Sequence, residues 1–272
     1  MSDPALVSRK ADDLWRDNST AYSICTIVTQ PDAYLRMVES FKKLGFGETD
    51  CEFLYLDNTK GNKFEAYAGY NLFLNVARGA HVILCHQDLI LIDDGRSKLD
   101  ATIEDLNERD PSWAVCGNGG GEYPGQLALR ITDPHGNDQK SGNFPVRVQS
   151  LDENFIVVKK CANLALSRDL KGFHLYGTDI CIIADVLGWS SYVVDFHLRH
   201  ISSGSKDTSF FQIRKDMIRK YGRAFRSRWV ATTNTILFLS GNFRVARALS
   251  APIAIKIARF LGEKWPRIFS SK

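Results

Sequence analysis

The stretch GAHVILCHQDLILIDD, residues 79–94, combines a short apolar run with an abrupt polar cluster. The four consecutive apolar residues at 82–85 predict a strand that is covered on both faces. His86, Gln87 and Asp88 follow at once, before the next apolar run begins. An imidazole, an amide and a carboxylate have little structural purpose at the mouth of a buried strand. We therefore expect these three side chains to bind something.

The residues before this stretch alternate between strand patterns and helix patterns. Apolar runs at 21–30 and 51–58 predict strands, and helical spacing after Pro31 and over 63–79 predicts two helices. Together with the strand at 81–85, this order predicts a parallel sheet with right-handed crossovers. Ligands of such sheets collect at the carboxyl ends of the strands, where Asp57 and the cluster at 86–88 both fall.

The pattern continues to about residue 206 and then becomes helical and basic. We expect helices at 97–109 and 177–189, strands at 113–118, 154–160 and 191–200, and a glycine-rich loop with short hairpin strands at 117–147. From Gln212 to Lys272, fourteen Lys or Arg stand against two acids, giving +12, so residues 1–211 carry −8. We therefore predict an α/β domain at 1–206 and a basic helical C-terminal extension at 207–272.

The segment SAPIAIKIARFLGEKWPR, residues 250–267, predicts an amphipathic helix in this extension. Ser250 can cap it, and Pro252 lies in its first turn. An apolar helix with basic neighbours suits an anionic membrane surface. A helix that packs into the protein, a partner or a second copy of the chain in a homo-oligomer fits the pattern equally well. No nucleic-acid partner is expected, because the basic segment lacks a recognised reading module.

Features of the whole chain point to a cytoplasmic protein. The first fifteen residues lack the basic-then-apolar layout of a secretory leader, and no apolar run is long enough to cross a bilayer. The six cysteines form no CxxC pair, and several lie inside apolar runs, as reduced thiols do. We therefore expect a cytoplasmic location, with attachment to the inner face of the cell membrane through the extension.

The run AYAGYNLFLNVARGAHVILCHQDLILID, residues 66–93, closely resembles the nucleotide-sugar half of family 2 glycosyltransferases of the GT-A fold. Within that family it resembles the branch that carries His-Gln-Asp in place of Asp-x-Asp. The resemblance covers about residues 22–204, and its separated motifs agree in order. It implies an α/β fold with a mostly parallel, Rossmann-like sheet flanked by helices. It also implies inverting transfer of a sugar, in polysaccharide biosynthesis, from a nucleotide-diphosphate donor to a hydroxyl of a glycan or lipid-linked glycan.

The resemblance also implies roles for particular residues. Asp88 would bind a divalent metal, Mn²⁺ or Mg²⁺, and His200 in the segment 193–205 would complete the site, with His197 as the alternative. The nucleotide-sugar side would comprise Thr29, Asp57, Arg78, His86 and Gln87, and the acceptor side Asp152 and His174. Without the resemblance, each of these side chains also fits a structural role as a turn acid, a helix end or a strand-end histidine.

The stretch FHLYGTDICII, residues 173–183, falls where the family carries its catalytic base. An inverting enzyme needs a carboxylate to take the proton of the acceptor hydroxyl. Gly177 stands at the position of the usual aspartate, which leaves Asp179 as the predicted base. The alternative is that Asp179 only stabilises the start of a helix through the helix dipole.

Two other functions compete with a glycosyltransferase. Gly177 breaks the usual acidic pair, so a non-catalytic protein that binds nucleotide sugars is one alternative. A sugar-1-phosphate nucleotidylyltransferase is the other, but it should carry a glycine-rich loop with Arg or Lys after the first strand. The segment TQPDAYLR, residues 29–36, has no such loop.

Overall fold

A computed structural model describes residues 20–47, 49–202, 204 and 207–265 of the chain. Residues 1–19, on which the prediction of a missing leader rests, lie outside this described part. The chain divides into two compact units, Met1–Ile213 and Arg214–Lys272. Residue 206, where the sequence predicts a domain boundary, is also outside the described part, so that boundary stays a prediction.

Strands and helices alternate at the start of the first unit, as predicted. The elements are β1 (Tyr22–Val28), α1 (Pro31–Phe41), β2 (Cys51–Asp57), α2 (Ala66–Val76) and β3 (His81–Cys85). Strand β1 pairs in parallel with both β2 and β3. A helical extension, Lys42–Phe46, continues α1. Residues 82–85 of β3 are buried, which confirms a strand covered on both faces.

The remainder of the first unit is richer in strands than predicted. Its elements are β4 (Leu89–Leu91), α3 (Arg96–Arg109), β5 (Trp113–Gly117), β6 (Gly119–Tyr123), β7 (Gln126–Asp133), β8 (Gly136–Ser141), β9 (Val146–Arg147), β10 (Ser150–Leu151), β11 (Phe155–Lys159), α4 (Tyr176–Val186), β12 (Ser190–Val193) and β13 (Leu198–His200). The stretch 117–147, predicted as a loop with short hairpin strands, contains four strands, and β6, β7 and β8 pair in antiparallel fashion. The predicted strand at 191–200 is instead two strands, because the chain leaves one sheet for another between them.

Two sheets organise these strands. A seven-stranded sheet has the order β2-β1-β3-β11-β5-β12-β9, and β11 runs antiparallel to both neighbours. A second sheet has the order β10-β6-β7-β13-β4, with β8 paired to β7. The core between sheet and helices contains fully buried large side chains such as Met37, Phe41, Trp113, Phe155 and Phe196. The crossing from β12 to β13 carries His200 to the second sheet, beside the residues that follow β3.

The second unit contains the end of α5 (Thr208–Ala224), a hairpin of β14 (Arg228–Ala231) and β15 (Ile236–Leu239), α6 (Phe243–Leu249) and α7 (Pro252–Lys264). The hairpin corrects the prediction of a purely helical segment. Ser250 does not cap α7, because Ala251 occupies the cap position and the Ser250 hydroxyl accepts a hydrogen bond from the Phe238 N–H at 3.1 Å. Among the described residues, no helix combines the length and the apolar character needed to cross a membrane.

Candidate functional site

A cavity of about 1000 Å³ opens at the carboxyl ends of β1 and β3. Seven of the residues predicted for the site line it: Thr29, His86, Gln87, Asp88, Asp152, His174 and His200. Four strand ends (β1, β3, β10 and β13) and the loop before α4 bring these residues together, although they span 172 positions of sequence. The edge of the sheet where the sequence predicts a ligand is therefore the edge where the structure has its cavity.

His86, Asp88 and His200 form a cluster at the wall of this cavity. Strand β13 pairs with β4 in a register that sets His200 opposite Leu89, one residue after Asp88. His86 Nδ1 lies 3.3 Å from His200 Nε2, which lies 3.3 Å from Asp88 Oδ1. One nitrogen or oxygen of each side chain lies within 4.8 Å of the others, close enough to share one metal ion. The sequence placed His86 with the nucleotide, whereas the structure places it with the two predicted metal ligands.

The hydroxyl of Tyr176 sets the orientation of the His86 ring. This hydroxyl donates to the backbone oxygen of Glu153 at 2.8 Å and lies 2.9 Å from His86 Nε2. Because its only proton is used on Glu153, it accepts from His86, which places the ring proton on Nε2. The lone pair of Nδ1 then faces the cluster, as metal-binding imidazoles held by a second hydrogen bond generally do.

The charges of the cluster also suit a cation. Burial acts to raise the pKa of Asp88, but the hydrogen bond and charge of His200 outweigh it and hold that pKa well below its ordinary value. Burial, assisted by the neighbouring His200, lowers the pKa of His86. Near neutral pH the cluster therefore offers an anionic carboxylate and a neutral imidazole. These are the protonation states in which a carboxylate and an imidazole bind metals, so Asp88 and His86 suit a divalent cation, and His200 lies within reach of the same ion.

Gln87 fixes the loop that follows β1 to the edge of the cavity. Its Oε1 accepts from the backbone N–H groups of Thr29 and Gln30 at 2.8 Å each, and its Nε2 donates to Thr29 Oγ1 at 2.7 Å. The amide is thus used to position the loop. The predicted contacts of Thr29 and Gln87 with a nucleotide sugar stay predictions.

Asp152 and His174 lie on the wall of the cavity where the sequence predicts the acceptor. Asp152 Oδ1 accepts from the backbone N–H and the side-chain amide of Asn154, at 3.0 and 2.6 Å. The His174 ring packs edge-on against Phe210, with 5.7 Å between ring centroids. Neither arrangement blocks access from the cavity.

Two residues predicted for the nucleotide are placed differently. Asp57 ends β2 level with Val28 of β1, but its carboxylate accepts from the backbone and hydroxyl of Thr59 at 2.9 and 2.6 Å and is not part of the cavity lining. Arg78 lies at the opposite edge of the sheet, because α2 runs back along the strands to their amino ends. There it pairs with Glu52 at 2.9 Å and is not part of the cavity lining, so its predicted phosphate contact gains no support and stays a prediction.

Asp179 is also not on the cavity wall. Its side chain is fully buried, and its two oxygens accept from the backbone N–H and the hydroxyl of Ser167, at 2.7 Å each. A carboxylate in this position holds a loop against α4 and is not exposed to the cavity. This placement does not support Asp179 as the base, and that role stays a prediction.

Sequence reasoning missed Glu153, which lines the cavity between Asp152 and Asn154. Burial and the neighbouring Asp152 raise the pKa of Glu153 to about 8, against an opposing effect of backbone N–H groups at residues 175–177. The signal was present in the sequence as two adjacent acids before a strand, of which only Asp152 was selected.

The sequence is similar to a protein of Fuscovulum blasticum. The chain is 38% identical over 239 residues to a Fuscovulum blasticum protein named ATP synthase subunits region ORF 6, and the match covers 85% of this chain and 96% of that protein. That name states no activity. No protein-family model matches the chain.

Two solved structures resemble the fold. GalNAc-T7 with UDP, GalNAc and Mn²⁺ has a TM-score of 0.52 at 10% identity, covering 75% of this chain and 48% of that one. S. aureus TarS 1–349 in complex with UDP-GlcNAc has a TM-score of 0.51 at 10% identity, covering 74% of this chain and 66% of that one. The chain thus spans about half the length of GalNAc-T7. At this identity the likeness shows the fold, which is the predicted GT-A type.

Proposed function

We propose that this chain, which belongs to the same family as the Fuscovulum blasticum protein ATP synthase subunits region ORF 6, is a metal-assisted inverting glycosyltransferase. Its donor would be a nucleotide-diphosphate sugar and its acceptor a hydroxyl of a glycan or lipid-linked glycan. The observation that carries this proposal is the cluster of His86, Asp88 and His200 on the wall of a large cavity at the strand ends of a GT-A fold. GalNAc-T7 with UDP and Mn²⁺, and TarS with UDP-GlcNAc, have the same fold and support it.

Different residues of the chain would hold the metal, face the nucleoside and contact the acceptor. His86, Asp88 and His200 would hold the metal. A bound divalent cation supplies positive charge that stabilises the diphosphate as it leaves. The loop at Thr29 and Gln30, fixed by Gln87, would face the nucleoside. Asp152 and His174, which line the same cavity, would contact the acceptor.

The composition of the cluster favours Mn²⁺ over Mg²⁺. Mg²⁺ prefers oxygen ligands in octahedral geometry and dehydrates reluctantly, whereas two of the three side chains here are imidazoles. We therefore expect UDP or GDP with Mn²⁺ to raise the melting temperature of the protein by several degrees, and the same nucleotide with Mg²⁺ to raise it less. A thermal-shift screen of nucleotides and nucleotide sugars, with each metal and with EDTA, measures this.

The same screen tests the proposed function. Stabilisation that needs both the metal and the nucleotide is the expected result, followed by release of nucleoside diphosphate from one nucleotide sugar. Stabilisation by nucleotide sugars without any release of nucleoside diphosphate would favour the non-catalytic binder, which Gly177 keeps as the second candidate. The absence of any metal-dependent nucleotide binding would reject both.

We further propose that the second unit attaches the protein to the cytoplasmic face of a membrane with anionic lipids. Ile253, Ile257 and Phe260 follow one another at helical spacing on α7, and each side chain is more than half exposed. Fourteen Lys or Arg against two acids surround them in the sequence from Arg214 to Lys272. An exposed apolar stripe among cations is the pattern of an interfacial helix. An acceptor linked to a lipid would then lie in the same membrane.

Vesicle binding tests this attachment. The full chain is expected to bind vesicles of phosphatidylcholine with phosphatidylglycerol more tightly than vesicles of phosphatidylcholine alone, and less tightly at high salt. The double variant Ile253→Ser/Ile257→Ser should weaken binding by about tenfold or more, because each buried side chain contributes roughly 1 kcal/mol or more. Leu187→Ser, at an exposed leucine of the first unit, is the control. Equal binding by all three proteins would contradict the proposal.

A further inference from the structure

We propose that the Glu153 carboxylate is the general base that deprotonates the acceptor hydroxyl. It would replace the aspartate that the resemblance places at position 177, where this chain has a glycine. This inference rests on the proposed transferase function. It assigns a residue to the role of general base, because the residue that the sequence predicts for that role does not line the cavity.

The start of α4 has no room for a base of its own. A Cβ atom at Gly177 would fall well inside van der Waals contact with the Leu151 carbonyl oxygen, and 3.3 Å from Ile156 Cδ1. Strand β10 therefore packs directly on the backbone of α4 at this residue. A side chain at 177 could enter only if the strand moved. In this chain, the position that the resemblance assigns to the base must be a glycine.

Glu153 brings a carboxylate to the same place from the other side. It follows β10 by two residues, and backbone N–H groups of Leu175, Tyr176 and Gly177 face its side chain. Leu175 has the left-handed backbone conformation, φ 61°, which is unfavourable for a leucine and turns the chain sharply into α4. Backbone strain of this kind persists where the surroundings enforce it, often at functional sites. The carboxylate is thus held by fixed groups, and the residue Glu153 is part of the cavity lining.

The position also fits the rest of the site. The cavity that Glu153 lines contains Asp88 and His200. Tyr176 connects the two parts directly, since its hydroxyl bonds both the backbone of Glu153 and the ring of His86. A donor held at the cluster and a hydroxyl beside Glu153 would therefore occupy one continuous cavity, with the base and the leaving group held on a common framework.

The charged surroundings of Glu153 favour proton uptake. The titratable groups that face it are Asp152, Tyr70 and Tyr176, and none of them is cationic. Burial and Asp152 raise its pKa to about 8. A base works best when its pKa lies near the working pH, because it is then both available and strong enough. Asp179, bound by Ser167 away from the cavity, has no comparable access.

The proposed step is a single displacement. The acceptor oxygen forms a bond to the anomeric carbon of the donor sugar while the bond from that carbon to the diphosphate oxygen breaks. The electron pair of the broken bond leaves on the nucleoside diphosphate. The proton of the acceptor hydroxyl passes to Glu153. When water takes the place of the acceptor, the same step is hydrolysis of the donor.

Donor hydrolysis therefore tests Glu153 without a known acceptor. UDP-glucose, UDP-GlcNAc and GDP-mannose serve as donors with Mn²⁺, and release of nucleoside diphosphate is measured. The Glu153→Gln variant should lose hydrolysis by about a hundredfold or more, the usual contribution of general base catalysis. Its affinity for UDP or GDP with Mn²⁺ should stay within about twofold. The Glu153→Asp variant should recover part of the rate. Glu104→Gln, at an exposed glutamate of α3, is the matched control.

The pH profile separates a base from a structural residue. In the wild type the rate should rise with pH as Glu153 loses its proton, and this limb should disappear in Glu153→Gln. A Glu153→Gln protein that keeps its hydrolysis rate would overturn the base while leaving the transferase function in place. Loss of nucleotide binding together with the rate would show a structural role and also overturn it. By contrast, a wild-type chain that binds no nucleotide with Mn²⁺ would remove the proposed function itself.

Discussion

The Asp88→Asn variant is expected to lose metal-dependent turnover of the donor by at least about a hundredfold while it keeps its fold. Asparagine has nearly the same shape as aspartate, and its remaining oxygen can still accept from the Ser202 N–H, as Asp88 Oδ2 does at 3.2 Å. It cannot supply the negative charge that the cation needs. Changes to residues that only support metal ligands reduce affinity by about 10- to 100-fold, so removing the only carboxylate of the cluster should have a larger effect.

The measurements are calorimetric titration with Mn²⁺ in the presence of UDP or GDP, the rate of nucleoside diphosphate release, and circular dichroism. Asp185→Asn, an exposed aspartate on α4, removes an equal charge outside the cavity and should behave as the wild type. Undiminished Mn²⁺-dependent turnover in Asp88→Asn would contradict the metal site. An unfolded Asp88→Asn protein would show instead that the carboxylate mainly stabilises the strand ends through its pair with His200.

The order of the first elements could be predicted from the sequence because each follows from local chemistry. Alternating apolar runs, Pro31 at a helix start and the glycine after α2 place β1, α1, β2, α2 and β3 within a few residues of the observed ranges. A helix between each pair of consecutive strands then predicts that these strands are parallel. The second sheet was not predicted, because β6 is rich in glycine and β8 is polar, so neither carries an apolar run. Their pairing depends on partners distant in sequence, which no local period reveals.

The residues of the site could likewise be predicted only where their position follows from the local order of strands and helices. Residues that directly follow buried strands, such as His86 and Asp88, must lie at one sheet edge, and so their grouping could be predicted. Arg78 shows the limit of that reasoning, because it precedes a strand and the helix before it returns the chain to the opposite edge. Asp179 shows another limit. A helix has an inner and an outer face, and the sequence alone does not indicate that Ser167 would bind this carboxylate.

Substitution of Gly177 is the second change for which we expect a large effect. This glycine stands where the resemblance places the base and packs against the backbone that leads to Glu153. A methyl group in Gly177→Ala would meet the Leu151 carbonyl oxygen, which belongs to the backbone and cannot rotate away. Overpacking of this kind costs about 1–3 kcal/mol, against a gain of at most about 1 kcal/mol from replacing glycine within a helix. The net change is destabilising. Gly177→Asp, which introduces the aspartate that the resemblance places at this position, should be worse because its side chain is larger.

The Gly177→Ala variant should lose more of its donor hydrolysis rate than its loss of stability alone would explain. Relief of the contact requires β10 to move, and Asp152 and Glu153 follow β10 directly. A shift of even 1 Å in a catalytic group can cost about a hundredfold in rate. Urea denaturation and donor hydrolysis, measured on the same preparations, give the two effects. Gly222→Ala is the matched control, because nothing lies within 4 Å of a Cβ atom there and the residue is also helical. If Gly177→Ala proved as stable and as active as Gly222→Ala, the close packing of α4 on β10 could not be what excludes an aspartate from position 177. The main argument for Glu153 as the base in place of that aspartate would then fail.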